Sequence, residues 1–326
     1  MMLKKSRCLI LAMALVLVVV SCTTFAAKKP IKVIYGSVFA AGEDFVKADQ
    51  YFKKIVEQKS KGQILVEYYP HCQLGSAAEM YQAIMAGAQQ MVSSSLGDIV
   101  PFYSACGTFD LPYLYRDQKH LLKVAARFTS LTDQNNVATK IGMRIVSLRI
   151  RAPRHLNTKF PVNKLEDIKG RKMRVPQSPV SMDLWKALGA TPIVLPGSEL
   201  LTSLATGVVE ASENPLEVFY KNKFWELANY CALTAHKREL VPVVVDNNWW
   251  KTLTKTQKRI ITGALDKSAQ MVAELVGNTD AQYKELLVKE GMQFTQPDLV
   301  PFRKKAKTIW SKYGDQKLIK KIQAIK

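Results

Sequence analysis

The chain has 326 residues, enough for two domains of ordinary size, and its 48% apolar and 23% charged content is that of a folded globular protein. The formal charge is +20. A surplus of this size can serve nucleic acid, an anionic membrane face or an anionic small ligand, but the lysines are scattered and no basic stripe interleaved with aromatics occurs, which argues against nucleic acid.

Residues 1–22 read as an export signal outside the fold. Lys4, Lys5 and Arg7 precede an apolar run, Leu9 to Val20, too short to span a bilayer comfortably and ended by Ser21-Cys22. Removing those three cations lowers the charge to +17. VVSC at 19–22 resembles a lipoprotein box, with Cys22 the lipidated first residue of the mature chain; cleavage after Ala26 is the alternative. Lipidation would tie a soluble domain to the membrane surface, and the other reading would free it. Cys72, Cys106 and Cys231 remain, and they allow one bridge with one free thiol, or three buried thiols. The wide cysteine spacing and the lack of H-x-x-x-H argue against a metal site, and no cofactor motif is present.

In chain order, Ile31 to Tyr35 is a strand candidate. Phe45, Ala48, Phe52, Ile55 and Val56 then recur at helical spacing as far as Gly62. Ile64 to Tyr69 is the next strand, Glu79 to Met85 a helix stopped at Gly87, and Gln90 to Ser93 a short strand. This alternation predicts a parallel or mixed sheet covered by helices. The aromatic run FDLPYLY at 109–115 reads as core with a proline turn. His120 to Phe128 is predicted helical and Ile141 to Ile150 a strong strand. RAPRH at 151–155 is where polarity switches, marking a first crossing between domains.

The stretch from Met173 to Pro215 carries the strongest site signal. A predicted strand exposes Arg174 and stops at Pro176. Ser181 to Leu188 is helical, Ile193 to Leu195 is a strand, and Ser198 sits where an N-cap should stand before Leu200, Leu201 and Leu204. A second strand, Val208 to Ala211, leads into a polar elbow, Glu213-Asn214-Pro215. An Arg and an Asn held at two strand ends can close on one small anion, since guanidinium meets carboxylate with two parallel hydrogen bonds and an amide both donates and accepts.

Beyond the elbow, Leu216 to Leu227 reads as an aromatic-rich helix. Leu240 to Val245 is a strand whose Pro242 implies an edge or an early strand position. Thr254 and Gln257 match a capping box opening a helix that runs to about Lys289, with weak points at Gly263 and Gly277; such a length spans two lobes or breaks in two. Val300 to Lys312 is a basic helix, and Lys317 to Lys326 reads as solvated surface. Trp185, Trp225, Trp249 and Trp250 are assigned to the core.

Several segments in a fixed order carry a family resemblance: YYPHCQLGSAAEMYQAIMAG, FDLPYLYRD, LEDIKGRKMRVPQSP, WKALGATPIVLPGSELLTSLATGVVEASENP and NNWWKTLTKTQKRII. Over roughly 31–313 the chain resembles the extracytoplasmic solute-binding proteins of tripartite ATP-independent periplasmic (TRAP) transporters, the DctP-like family. The resemblance implies an α/β, two-lobed periplasmic binding protein-like fold with mixed sheets and a long helix bracing both lobes. Lobe I is expected from 31–151 and 240–279, lobe II from 152–239 and 280–326. It further implies a small organic carboxylate as ligand, small and large integral membrane subunits as partners, and a location on the periplasmic side of the cytoplasmic membrane.

By the same resemblance Arg174 corresponds to the strand-borne carboxylate clamp, Asn214 to the elbow asparagine, and Arg154 to a second arginine that either clamps carboxylate or bridges the lobes. Ala211 and Ser212 depart from the family pattern beside Asn214, so ligand identity does not transfer. Phe39, Glu43, Ser94, Ser95, Phe219 and Tyr220 are candidates for enclosing the rest of the ligand, and Glu213 for orienting an arginine. No nucleophile–base pair stands out and His155 and His236 lack evident partners, so binding rather than catalysis is expected. A lipid-anchored sensing or scaffold protein of the same fold is the alternative.

Overall fold

The computed structural model describes residues 29–128, 140–277 and 279–326. The export segment 1–22, Cys22 and the alternative cleavage site at Ala26 lie outside the described residues. Strand β1 (Ile31–Ser37) runs parallel to β2 (Ile64–Tyr69) on one side and β3 (Met91–Ser93) on the other. The crossovers are helices α1 (Asp44–Lys59) and α2 (Ala77–Met85). Helix α3 (Gln118–Ala126) then precedes β4 (Met143–Ile150).

A second sheet begins with β5 (Arg154–Thr158) and continues through β6 (Lys172–Val175), α4 (Pro179–Ala187), β7 (Thr191–Val194), α5 (Leu200–Ala205), β8 (Ala211–Asn214), α6 (Leu216–Lys221) and β9 (Tyr230–Lys237). β10 (Leu240–Asp246) returns to the first sheet, antiparallel to both β3 and β4. After α7 (Asn247–Thr252), α8 (Lys255–Gly277) and α9 (Thr279–Lys289), β11 (Gln293–Thr295) returns to the second sheet. The chain ends with α10 (Leu299–Ala306), α11 (Trp310–Tyr313) and α12 (Gln316–Ala324). The sheet orders are β2-β1-β3-β10-β4 and β11-β9-β5-β8-β6-β7, and both sheets are mixed.

The local causes are visible in the sequence. The α1 face read from periodicity, Phe45, Ala48, Phe52, Ile55 and Val56, is buried. Ser76 and Glu79 cap α2 reciprocally: Glu79 N–H donates to Ser76 Oγ (3.4 Å) and Ser76 N–H to Glu79 Oε2 (2.7 Å). The predicted box at Thr254 and Gln257 forms in the same way, at 2.8 and 3.2 Å. From there α8 lays Ile261, Ala264 and Leu265 against Phe52 of α1 and Val243 of the first sheet. Leu287 of α9 packs instead with Leu200, Phe219 and Phe224 beside the second sheet. The long helical pattern therefore reaches both sheets, with α8 described as far as Gly277 and α9 from Thr279.

Four local readings are corrected, and a fifth, that of Pro242, is narrowed to one of its two alternatives. The elbow Glu213-Asn214 is itself part of β8, which starts at Ala211 and not at Val208, because Asn214 takes the register opposite His155 of β5. Pro242 is the third residue of an interior strand, and pairing with β3 begins only at Val243, so of the two alternatives the early position holds. Ser198 sits inside a short 3₁₀ turn, Gly197–Glu199, and Glu199 occupies the N-cap position of α5. The segment 216–227 is α6 followed by a separate 3₁₀ turn at Phe224–Glu226, broken where Lys223 takes φ +54°. Finally, the tail is not plain solvated surface: α12 is amphipathic, and its Ile319 and Ile322 are buried in the cluster of Phe109, Leu111 and Leu121 against the first sheet. Cys72, Cys106 and Cys231 are all free thiols, the last two buried and Cys72 only partly so.

Candidate functional site

Strand ends from both sheets converge on a cavity of about 240 Å³. Ligands of open α/β sheets characteristically sit outside the carboxyl ends of the strands, where loops diverge. The first sheet contributes Phe39 and Glu43 beyond β1, Ser95 and Asp98 beyond β3, and Arg151 beyond β4; the second contributes Arg154, Arg174 and Asn214.

Arg174 stands next to the last residue of β6 and is only 5% exposed. Its Nε and Nη2 donate to one acceptor, the Leu195 carbonyl, at 2.9 and 2.7 Å. Among the described residues no carboxylate comes within ion-pairing distance of it. Burial pulls its pKa down to about 10, with the neighbouring Arg154 adding to the effect, so at neutral pH it remains a cation in a poorly solvated place.

Arg154 is engaged quite differently. It ion-pairs with Glu213 through Nε, donates from Nη2 to Glu213 Oε1 (2.8 Å) and the Glu213 carbonyl (2.6 Å), and from Nη1 to Glu239 Oε2 (2.9 Å). It also donates to Asn214 Oδ1 at 3.2 Å. The asparagine carbonyl is thereby committed to the protein, and among the described residues its amide nitrogen has no acceptor. Burial would raise both glutamates, but Arg154 more than offsets it: Glu213 falls well below the carboxylate range and Glu239, also facing Lys237 and Arg151, falls to about 2.

Of the other candidates, Phe39, Glu43 and Ser95 line the cavity, whereas Ser94, Phe219 and Tyr220 do not. Ser94 is turned to the Tyr81 hydroxyl at 2.8 Å, Phe219 is wholly buried in the hydrophobic cluster under α5, and Tyr220 packs on Tyr283 at 5.8 Å between ring centres. Phe39 stacks on Phe45 (4.5 Å) with the Arg151 guanidinium 5.1 Å from its ring centre. Glu43 accepts from Arg151 at 3.2 Å. His236 is held between Glu213 (3.2 Å) and Thr234 (2.9 Å), and His155 accepts from the Ala235 amide at 3.2 Å, so both histidines have partners that the sequence did not reveal. Asp98, Arg151 and Glu239 are the charged groups that sequence reasoning missed.

The sequence profile of the bacterial extracellular solute-binding proteins, family 7 (DctP), matches residues 35–317. The sialic acid-binding periplasmic protein SiaP of Vibrio cholerae is 27% identical over 273 residues, 83% of this chain and 85% of SiaP. A TRAP periplasmic solute-binding protein from Pseudomonas putida F1, solved with bound D-glucuronate, superposes with a TM-score of 0.83 at 28% identity, covering 91% of this chain and 98% of that one. A second, from Sulfurospirillum deleyianum with bound succinate, gives 0.84 at 26% identity over 92% of this chain and 100% of that one. The matched profile, the two mixed sheets and the strand-end cavity agree, and the chain belongs to the DctP family of extracellular solute-binding proteins that serve TRAP transporters.

Proposed function

We propose that this protein captures a small organic carboxylate outside the cytoplasmic membrane and delivers it to the small and large integral membrane subunits of a TRAP transporter. The observation that carries the reading is Arg174, a buried cation at the wall of the cavity with no carboxylate partner among the described residues. A desolvated guanidinium is costly to keep unpaired, and a ligand carboxylate supplies the missing partner. The Asn214 amide stands ready as a second donor. Arg154 is supported as the bridge that holds Glu213, Asn214 and Glu239 in place, and less as a second clamp. The relatives solved with D-glucuronate and succinate support a carboxylate as the ligand class.

Closure would bring together the bodies built on the two sheets, 31–151 with 240–279 and 152–239 with 280–315, α12 moving with the first. Export through 1–22 and lipid attachment at Cys22 belong to the same proposal. Among the described residues no helix is long and apolar enough to cross a membrane.

The test is a thermal-shift screen over organic acids with wild type and Arg174→Ala. At least one carboxylate should stabilise the wild type, while the variant folds and loses the shift. Losing a buried charged partner costs roughly 2–5 kcal/mol of binding, a factor of about 30 or more. Equal affinity in the variant sinks the role given to Arg174.

A further inference from the structure

Three arginines line the cavity, but their charges are not equally available. Arg151 is paired with Glu43 (3.2 Å) and Glu239 (3.4 Å). Arg154 is paired with Glu213 and Glu239. Only Arg174 faces the cavity without a carboxylate partner among the described residues. The cavity thus offers one open positive charge.

Asp98 is its opposite. It lies beyond β3 in a short 3₁₀ turn, lines the same cavity, and is 6% exposed. Among the described residues no cation comes within 4 Å of it. Its surroundings are mostly hostile to a negative charge: burial first, then repulsion from Glu239 and Asp110, against attraction from Lys237 and a hydrogen bond from the Ser94 hydroxyl. Two further lining groups, Arg174 and the Cys72 thiol, lie close enough to feel its charge. With one hydrogen bond, from Ser94, and no ion pair, an acceptor this deeply buried on the wall of a binding cavity has capacity for a further donor, which a ligand can supply.

Resting on the reading that Arg174 takes a carboxylate, we propose that the ligand is a monocarboxylate carrying at least one O–H or N–H donor, with the carboxylate on Arg174 and the donor on Asp98. A second ligand carboxylate finds no open cation, and it would be set among Asp98 and Glu43, where like charges repel strongly in a desolvated site. A hydroxyl satisfies Asp98 in either protonation state, because the protonated acid can itself donate. An ammonium requires the ionised form. A site built to pair a polar group rejects ligands lacking that group far more strongly than an apolar wall rejects an extra methylene.

The test is calorimetric titration of the purified protein at pH 7.5 with D-glucuronate and lactate (hydroxylated), L-glutamine (ammonium-bearing), butyrate (no donor) and succinate (dianionic), repeated with Asp98→Asn. The tightest probe should be hydroxylated or amino-bearing and bind at least tenfold more tightly than butyrate and succinate. Asp98→Asn, nearly the same shape, should cut that preference about tenfold or more. Retained binding of a hydroxylated probe at reduced affinity, with the amino-bearing probe lost, identifies the hydroxyl as the partner; the amino-bearing probe being tightest in the wild type identifies the ammonium. Succinate as tightest probe, or a preference unchanged in Asp98→Asn, overturns the inference while leaving carboxylate capture intact. No binding by any acid overturns both.

Discussion

Asp98 and Glu239 are two buried acids whose environments push them in opposite directions, and this gives the protein two separate acid responses. Glu239 is held at about 2 by Arg154, Lys237 and Arg151 despite its burial. Its stabilising effect is therefore complete above the ordinary value of 4.5 and is lost as pH falls through about 2. Asp98 is raised by burial to about 6 from 3.8. Between those values the native state holds more protons than the unfolded chain, so this residue makes stability fall as pH rises through the window and adds no further change above it. Asp98→Asn should consequently stabilise the ligand-free protein at pH 7 by on the order of 1–3 kcal/mol, with little difference from wild type near pH 4. Denaturant melts of the two proteins at pH 4, 5, 6 and 7 measure this. A difference that stays constant over that range contradicts the placement of Asp98.

At the scale of elements, the two sheets are tied across the mouth of the cavity by α1 and α6. Lys221 of α6 reaches Asp44 at the start of α1 at 2.7 Å, and also Glu217 one turn earlier at 2.7 Å. Glu217 in turn accepts from the Asp44 amide at 2.7 Å, satisfying one of the free N–H groups at the α1 N-terminus. This latch exists only when the two bodies are together. Lys221→Ala leaves two buried carboxylates facing each other and should weaken binding of a carboxylate ligand roughly tenfold, mainly through faster release. Stopped-flow dissociation measures it; an unchanged off-rate means the latch does not hold the closed form.

Much of this scale was legible beforehand. The α1 face, the capping box before α8 and the helical run reaching both sheets follow from periodicity and cap chemistry that depend on near neighbours alone. The boundaries of β8 and the fate of Pro242 were not, because they are set by register against strands distant in the chain. Arg174 could be read because it falls near the end of a predicted strand stopped at Pro176, and because the family resemblance sets a carboxylate clamp at that position. Glu213 was expected to orient an arginine, but the pairing of Arg151 with Glu43 and of Arg151 and Arg154 with Glu239 could not be read, since those partners are 85 to 108 residues away. The charged triplet Lys237-Arg238-Glu239 inside an otherwise apolar run was the one available hint.

For the whole molecule, the cavity wall has a division of labour that determines how closure depends on ligand. Phe39, Glu43, Ser95 and Asp98 come from elements of the first sheet, and Arg174 and Asn214 from the second. A ligand can shift an equilibrium between open and closed forms only by its difference in affinity for them. One that spans Arg174 and the opposite wall makes its full set of contacts only in the closed form, whereas an anion held by Arg174 alone binds both forms equally and shifts nothing. The same geometry makes Arg174 necessary for closure and not merely for affinity. Small-angle scattering should then show a smaller radius of gyration on saturation with a bound carboxylate. Arg174→Ala should show no such decrease at matched concentration. The Lys221→Ala protein should show an attenuated one, because its ligand contacts are intact and only the latch is gone. Full compaction of Arg174→Ala would mean that closure is driven by the first-sheet wall, and the arginine would then be an affinity determinant alone.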